Sequence, residues 1–242
     1  MQIDAKPKSR RFKLRSILLM VSVVGMLLAD GRFPAGGYAH SLGLEQAVAD
    51  GLGVDGVGDF VRARLRLVAE PEARIAVAAR RAALVHGVAG ALGVEDEFCA
   101  RCPSPVLRDS ARRLGAALLR AATGVWPDAL LLDGYRAASA FTPRPVALGV
   151  VAAAIGVGDE QLAALVLYDD AATVASAALK LLPLDPAHAS RWVAQVAPWI
   201  ADAALAVAAD ERPLAAQPAP AALGLELAAA AHLEQRERLF VS

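Results

Sequence analysis

From Asp159 to Leu182 the chain carries neither glycine nor proline and is apolar on nearly every side. Such a segment reads as a helix covered all round, so it belongs in the middle of the molecule. Asp159 stands where a cap would start it, and Pro183 stops it. One polar stripe survives: Asp169, Thr173, Ser176 and Lys180, spaced four, three and four. These share a face and read as a solvated or intersubunit seam. A central helix needs a wrapping, and composition chooses which. Hydrophobic residues make up 56% of the 242 positions, alanine and leucine dominate, and aromatics are only 5%. That density of small side chains favours closely packed helices over a β-sandwich. The expectation is an all-α fold, a single-domain compact bundle of roughly eight to ten helices with no sheet.

The rest of the chain divides around that helix. Residues 41–49 read as a helix and 50–58 as a glycine-rich connection. Residues 60–68 alternate apolar and basic, a strand signature, but Val61, Leu65 and Val68 also share a helical side, and the helical neighbours decide for helix. Glu70-Pro71 breaks or restarts it. An alanine-rich helix over 73–91 leads to the clearest loop, 93–105. A helix over 108–122 turns Leu114, Leu118 and Leu119 inward. Gly115 in its middle costs about 1 kcal/mol relative to alanine, offset by close helix–helix contact. Trp126-Pro127 ends this unit, and residues 142–145 precede an apolar helix over 146–155. Asp185 caps a further helix with Pro186 at its first position. Its stripe is Trp192, Val196, Trp199, Ala203 and Val207, with Pro198 expected to kink it. The domain reading is a basic, disordered extension (1–16), a helical domain (17–211), a flexible linker (212–221), and a C-terminal partner-docking helix and tail (222–242). Apolar Leu239 and Phe240 near the end of the sequence either fold back or dock on a partner.

The stretch from Asp30 to Glu45, DGRFPAGGYAHSLGLE, holds four glycines. Pro34 fixes one φ and Gly36 and Gly37 free the next two. Ser41 is placed to cap the following helix. The residues alone describe a tight helix connection or a loop built for close approach by another surface. The motif resembles the N-terminal signature of the urease accessory protein UreF family, a PxGG-aromatic-x-HSxGLE element. Pro34, Gly36, Gly37, Tyr38, His40, Ser41, Gly43, Leu44 and Glu45 match it. Gly31 stands where that family usually has serine, and Leu42 where it has a small or aromatic residue. The likeness continues through Ser110 and Gly115, through Tyr168 and Lys180, and into Glu226, Ala228, His232, Arg238, Leu239 and Phe240. Pro145 replaces a usual histidine, and Asp169-Asp170 departs from the usual neighbours.

The resemblance implies a cytoplasmic, dimer-forming, non-catalytic chaperone of nickel metallocentre assembly. It would bridge a urease-binding accessory protein (UreD/UreH type) and a nickel-carrying GTPase (UreG type), delivering nickel to apo-urease. Tyr168 and Lys180 would serve the dimer or GTPase contact. His232, Arg238, Leu239 and Phe240 would dock the urease-binding partner. His40 and Glu45 would line a nickel route, holding the ion in transit without binding it stably. An arginine finger toward the GTPase is conceivable from Arg236 or Arg238.

Other features bound the function. Lys6, Lys8, Arg10, Arg11, Lys13 and Arg15 face only Asp4 in the first sixteen residues, yet the net charge is zero. No global field favours nucleic acid. The basic head followed by apolar residues 17–29 imitates a secretory leader. Leu27 is not the small residue a cleavage site needs, so the alternatives are an extension or a start at Met20 or Met26. An exported or membrane-surface helical protein is the rival reading, and a degenerate family member that does not activate urease is another. Cys99 and Cys102 form one CxxC in a loop, without the further ligands of a zinc site. The four histidines lie at least 44 residues apart. There is no GxxxxGK[ST], HExxH or GxSxG, so no catalytic set is visible.

Overall fold

Long α-helices joined by short turns build the chain, seen here in a computed structural model that describes residues 23–232 and 239–240. Residues 23–29 form α1. There follow α2 (Leu44–Ala49), α3 (Val54–Arg64), α4 (Glu70–Arg101), α5 (Pro105–Val125), α6 (Leu130–Ala138), α7 (Arg144–Ile155), α8 (Asp159–Leu181), α9 (Pro186–Ala209) and α10 (Leu223–His232). The described residues contain no strand, so the all-α class holds.

Helix α8 is the central one. Leu162, Leu167, Ala171, Val174 and Ala178 are fully buried. It packs mainly on α9 and α4, and α4 packs in turn on α7. Small residues set how closely these helices approach. A Cβ on Gly149 of α7 would collide with the Ala76 carbonyl oxygen of α4. A Cβ on Gly115 of α5 would collide with the Thr142 carbonyl. Mid-helix glycine is tolerated at both points because the neighbouring backbone occupies the space of a side chain.

Helix α4 also clamps the ends of its neighbours through arginines. Arg80 donates to the Val157 carbonyl at 2.5 Å and to Asp159 at 2.6 Å. Arg81 reaches Asp159 at 2.8 Å and the Ala208 and Asp210 carbonyls closing α9. Arg74 pairs with Asp210 at 2.8 Å. These guanidiniums satisfy last-turn carbonyls that a helix end cannot satisfy itself. Three helical segments, Val54–Arg101, Asp159–Leu181 and Pro186–Ala209, are long and apolar enough to cross a membrane by length and composition. Here they pack on one another, and this arginine ladder lies along their contacts.

Several expected boundaries move. Helix α3 begins at Val54, inside the expected connection, and passes through a five-residue π turn, Leu65–Ala69, into α4. Pro71 has no N–H to give the Leu67 carbonyl, and the wider turn sits where that bond is missing. Helix α4 runs to Arg101, so the expected loop over 93–105 is mostly helix. Gly93 and its neighbours obey helical geometry, and the break occurs earlier, at Gly87 (φ 60, ψ −143), a conformation open to glycine. Cys99 therefore lies in the last helical turn, and Cys102 is the C-cap. Gly158, not Asp159, is the N-cap of α8, because the Asp159 carboxylate is turned to Arg80 and Arg81. Asp185 caps α9 as expected, accepting from the Ala187 amide at 2.7 Å. Helix α9 continues through Pro198, and its buried line is Trp192, Val196, Ile200, Ala204 and Val207. Between α9 and α10 a short 3-10 turn, Leu214–Ala216, is held by Arg101, which donates to the Leu214 carbonyl.

Replacing Gly149 with alanine is expected to cost about 1–3 kcal/mol of unfolding free energy, since the α4 backbone cannot yield cheaply. A Cβ added at Gly93 would have nothing within 4 Å, so Gly93→Ala should stabilise by about 0.4–1 kcal/mol. Urea denaturation followed by circular dichroism checks both signs.

Candidate functional site

The glycine loop is folded tightly against the bundle. Phe33 is buried and stacks on Trp126 with ring centroids 6.3 Å apart. Gly36 is left-handed (φ 83) and opens a 3-10 turn, Gly37–Ala39. Ser41 is fully buried. Leu42 (φ 55) and Gly43 (φ 88) are then both left-handed. This double reversal delays α2 until Leu44, with Gly43 at its N-cap and no side-chain cap. Ser41 therefore is not the cap it was expected to be. It lies two residues too early, and its carbonyl accepts from the Leu44 amide at 3.1 Å. The strained Leu42 turns its own carbonyl toward Arg64, which donates to it at 2.8 Å.

Arg64 leads into a charged cavity. Its guanidinium forks onto Asp170 of α8 at 2.6 and 3.2 Å, and both side chains are nearly buried. Beside it Arg144 of α7 pairs with Asp169 at 2.6 Å. Glu72 of α4 faces both pairs. Burial lifts its carboxyl above the usual range, with Asp170 and Asp169 adding to that and Arg144 and Arg64 opposing it. His40, 6% exposed, looks into the same space. Burial, with the charges of Arg144 and Arg113, lowers it to about 4. Its imidazole is neutral at physiological pH. The cavity is about 480 Å³ and lies between the glycine loop, α3, α4, α5, α8 and α10.

A second feature lies at the first turn of α2, where residues 239–240 meet the bundle. Glu45 accepts from the Leu239 amide at 2.7 Å and from the Phe240 amide at 3.2 Å, one through each oxygen. The Phe240 ring is buried, with Lys180 Nζ 4.9 Å above its centroid. Glu45, Lys180 and Phe240, distant in sequence, thus form one contact. Tyr168 is exposed on α8, about 18 Å along the helix from Lys180. His232 ends α10, and Arg236 and Arg238 lie outside the described residues. Pro34 is exposed at the start of the loop.

Sequence reasoning assigned no role to Arg64, Glu72 or Arg144, and took Asp169-Asp170 as a departure from pattern. A signal was present. Two adjacent aspartates in an otherwise apolar central helix demand buried cations. Nothing in the sequence says which arginines these are. Burial raises both cysteine thiols, Cys102 to about 11, so both stay protonated. Among the described residues no group of three or more His, Cys, Asp or Glu could hold a metal ion.

The family model for UreF matches residues 53–197, from α3 into the first half of α9. The chain belongs to the UreF family. It is 35% identical over 218 residues to the urease accessory protein UreF of Mycobacterium sp. (strain JLS), covering 90% of this chain and 97% of that one. It is 35% identical over 220 residues to the UreF of Mycolicibacterium vanbaalenii, again covering 90% and 97%. To the UreF of Mycobacterium marinum it is 36% identical over 163 residues, covering 66% and 73%. The chain is accordingly a urease accessory protein. The family match takes in Arg64, Glu72, Arg144, Asp169 and Asp170, and ends before the tail.

His40 gives this site a pH signature. Its folded pKa is about 4, against an ordinary histidine value of 6.5. Between those values the unfolded chain binds a proton that folded His40 refuses, so His40 lowers stability as pH falls from about 6.5 to about 4. Denaturation midpoints measured across that window should fall less steeply for His40→Gln than for the wild type. Equal slopes would show that His40 is protonated in the fold.

Proposed function

We propose that this chain is a non-catalytic scaffold of urease maturation. It links a nickel-carrying GTPase of the UreG type to the urease-binding accessory protein of the UreD/UreH type, and so to apo-urease. It works in the cytoplasm as a homodimer, with nickel as cargo rather than as a resident cofactor.

The observation that carries this reading is the tail contact. Two backbone amides, one carboxylate and one buried ring hold Leu239 and Phe240. Hydrogen bonds to a charged group contribute roughly 1.5–3 kcal/mol each, and an exposed cation–π contact about 0.5–1 kcal/mol. Backbone amides and one ring are groups that a partner surface can accept in place of Glu45 and Lys180. Leu239 is already 72% exposed beside the buried ring. Family membership supplies the partner class, and His232, Arg238, Leu239 and Phe240 are the residues assigned to it. Exposed Tyr168 and Lys180 on α8 are assigned to the dimer or GTPase face.

Nickel transit involves His40 and Glu45. A neutral imidazole and a carboxylate both ligate a divalent ion transiently. Both Glu45 oxygens accept tail amides in this conformation, so its part in the route follows release of the tail.

Co-purification with the cognate urease-binding accessory protein tests the scaffold. The full chain should bind, deletion of residues 222–242 should abolish binding, and Phe240→Ala should weaken it at least about tenfold. Tyr168→Ala should reduce GTPase recruitment while leaving that first contact in place, whereas Lys180→Ala, which also removes the cation over the Phe240 ring, should affect both. A folded full-length chain that fails to bind would remove the reading. Glu45→Ala that leaves urease activation intact would take Glu45 off the nickel route.

A further inference from the structure

The charged cavity has an uneven inventory. Four guanidiniums line it, and each has a carboxylate partner: Arg64 with Asp170, Arg144 with Asp169, Arg113 with Asp109, and Arg101 with Glu97. Two further carboxylates line it, Glu72 from α4 and Glu226 from α10. Among the described residues neither makes a hydrogen bond or an ion pair. Both bear on Cys102 from across the space, raising its thiol. The carboxyl groups lining the cavity thus outnumber the guanidiniums, five to four.

The walls between these groups are apolar, with Val68, Ile75, Phe98 and Leu114 among them. At about 480 Å³ the space falls in the size range of small-molecule sites, which are mostly apolar with a few placed polar groups. An anion finds no free guanidinium here. A bare metal ion finds no cluster of three ligands among the described residues. An unpaired carboxylate beside hydrocarbon walls suits a charged head on an apolar body, because charge-assisted hydrogen bonding and apolar burial are then satisfied together.

We propose that this cavity binds an organic cation, an ammonium or guanidinium group on a hydrocarbon stem, with Glu72 and Glu226 as its carboxylate partners. The same chemistry is offered by a free amine and by a lysine or arginine side chain of a bound protein. The proposal does not need the tail contact, although the cavity shares His40 and the α10 residue Glu226 with the segments used above.

The test uses the full chain and three probes of one length: hexylammonium, 1-hexanol and hexanoate, titrated at neutral pH by heteronuclear NMR. Hexylammonium should perturb amides around Glu72 and Phe98 and bind at least about tenfold more tightly than hexanol. Glu72→Gln should move its affinity most of the way to that of hexanol. Glu226→Gln, on the half-exposed face of α10, should lower it independently, and retained helicity confirms that both variants fold. Repeating the titration on the complex with the urease-binding protein separates the sources. Loss of the probe there assigns the cation to a partner side chain, and retention assigns a free amine. Equal binding of all three probes, or binding of none, overturns the proposal.

Discussion

A guanidinium taken out of water has to find its counter-charge where it is buried, and Arg64 finds Asp170 at 2.6 Å. Leaving either alone would strand a charge in the bundle at a cost of several kcal/mol. The pair therefore fixes the position of α3 against α8. A further N–H of Arg64 reaches the Leu42 carbonyl, so the same side chain holds the glycine loop in its left-handed turn. Loop, outer helix and central helix are tied at one point. Arg144 with Asp169 repeats the device one residue along α8, on the side of α7.

The cavity is a consequence of this arrangement. Two ion pairs that each need close, aligned contact keep apolar walls from closing around them, and Glu72 is left facing both. The same helices can approach closely elsewhere because glycines meet backbone directly, Gly149 against Ala76 and Gly115 against Thr142. Tight backbone contact at Gly115 and Gly149 and an open charged space beside them are parts of one packing solution. The buried Tyr135 hydroxyl and Ser139 both donate to Glu95, which orders residues 139–142 and leads directly into Arg144.

The tail is held differently. Glu45 commits its two oxygens to backbone amides, which any residue type but proline would supply, while Phe240 provides the buried ring. Glu45, expected from the family resemblance to line a nickel route, is a latch in this fold. Both descriptions rest on the same chemistry, since a carboxylate that accepts two amides also accepts a cation once they leave.

Local pattern was enough for much of this. The apolar run over α8, the proline and glycine punctuation, and the scarcity of aromatics announced an all-α bundle with α8 inside. The Asp185-Pro186 start was also readable, because a cap depends on a few adjacent residues. The glycine loop announced the freedom used at Gly36 but neither the left-handed Leu42–Gly43 reversal nor which residue would cap α2, since Leu42 adopts φ 55 only with its carbonyl held by Arg64. Helix length past Gly93 was misjudged because isolated glycines neither stop a helix nor mark its true break at Gly87. The charge pairs Arg64–Asp170 and Arg144–Asp169 and the Glu45–Phe240 latch were settled by tertiary structure. Each joins residues far apart in the chain, and a counter-charge is chosen by distance in space, which local sequence does not encode.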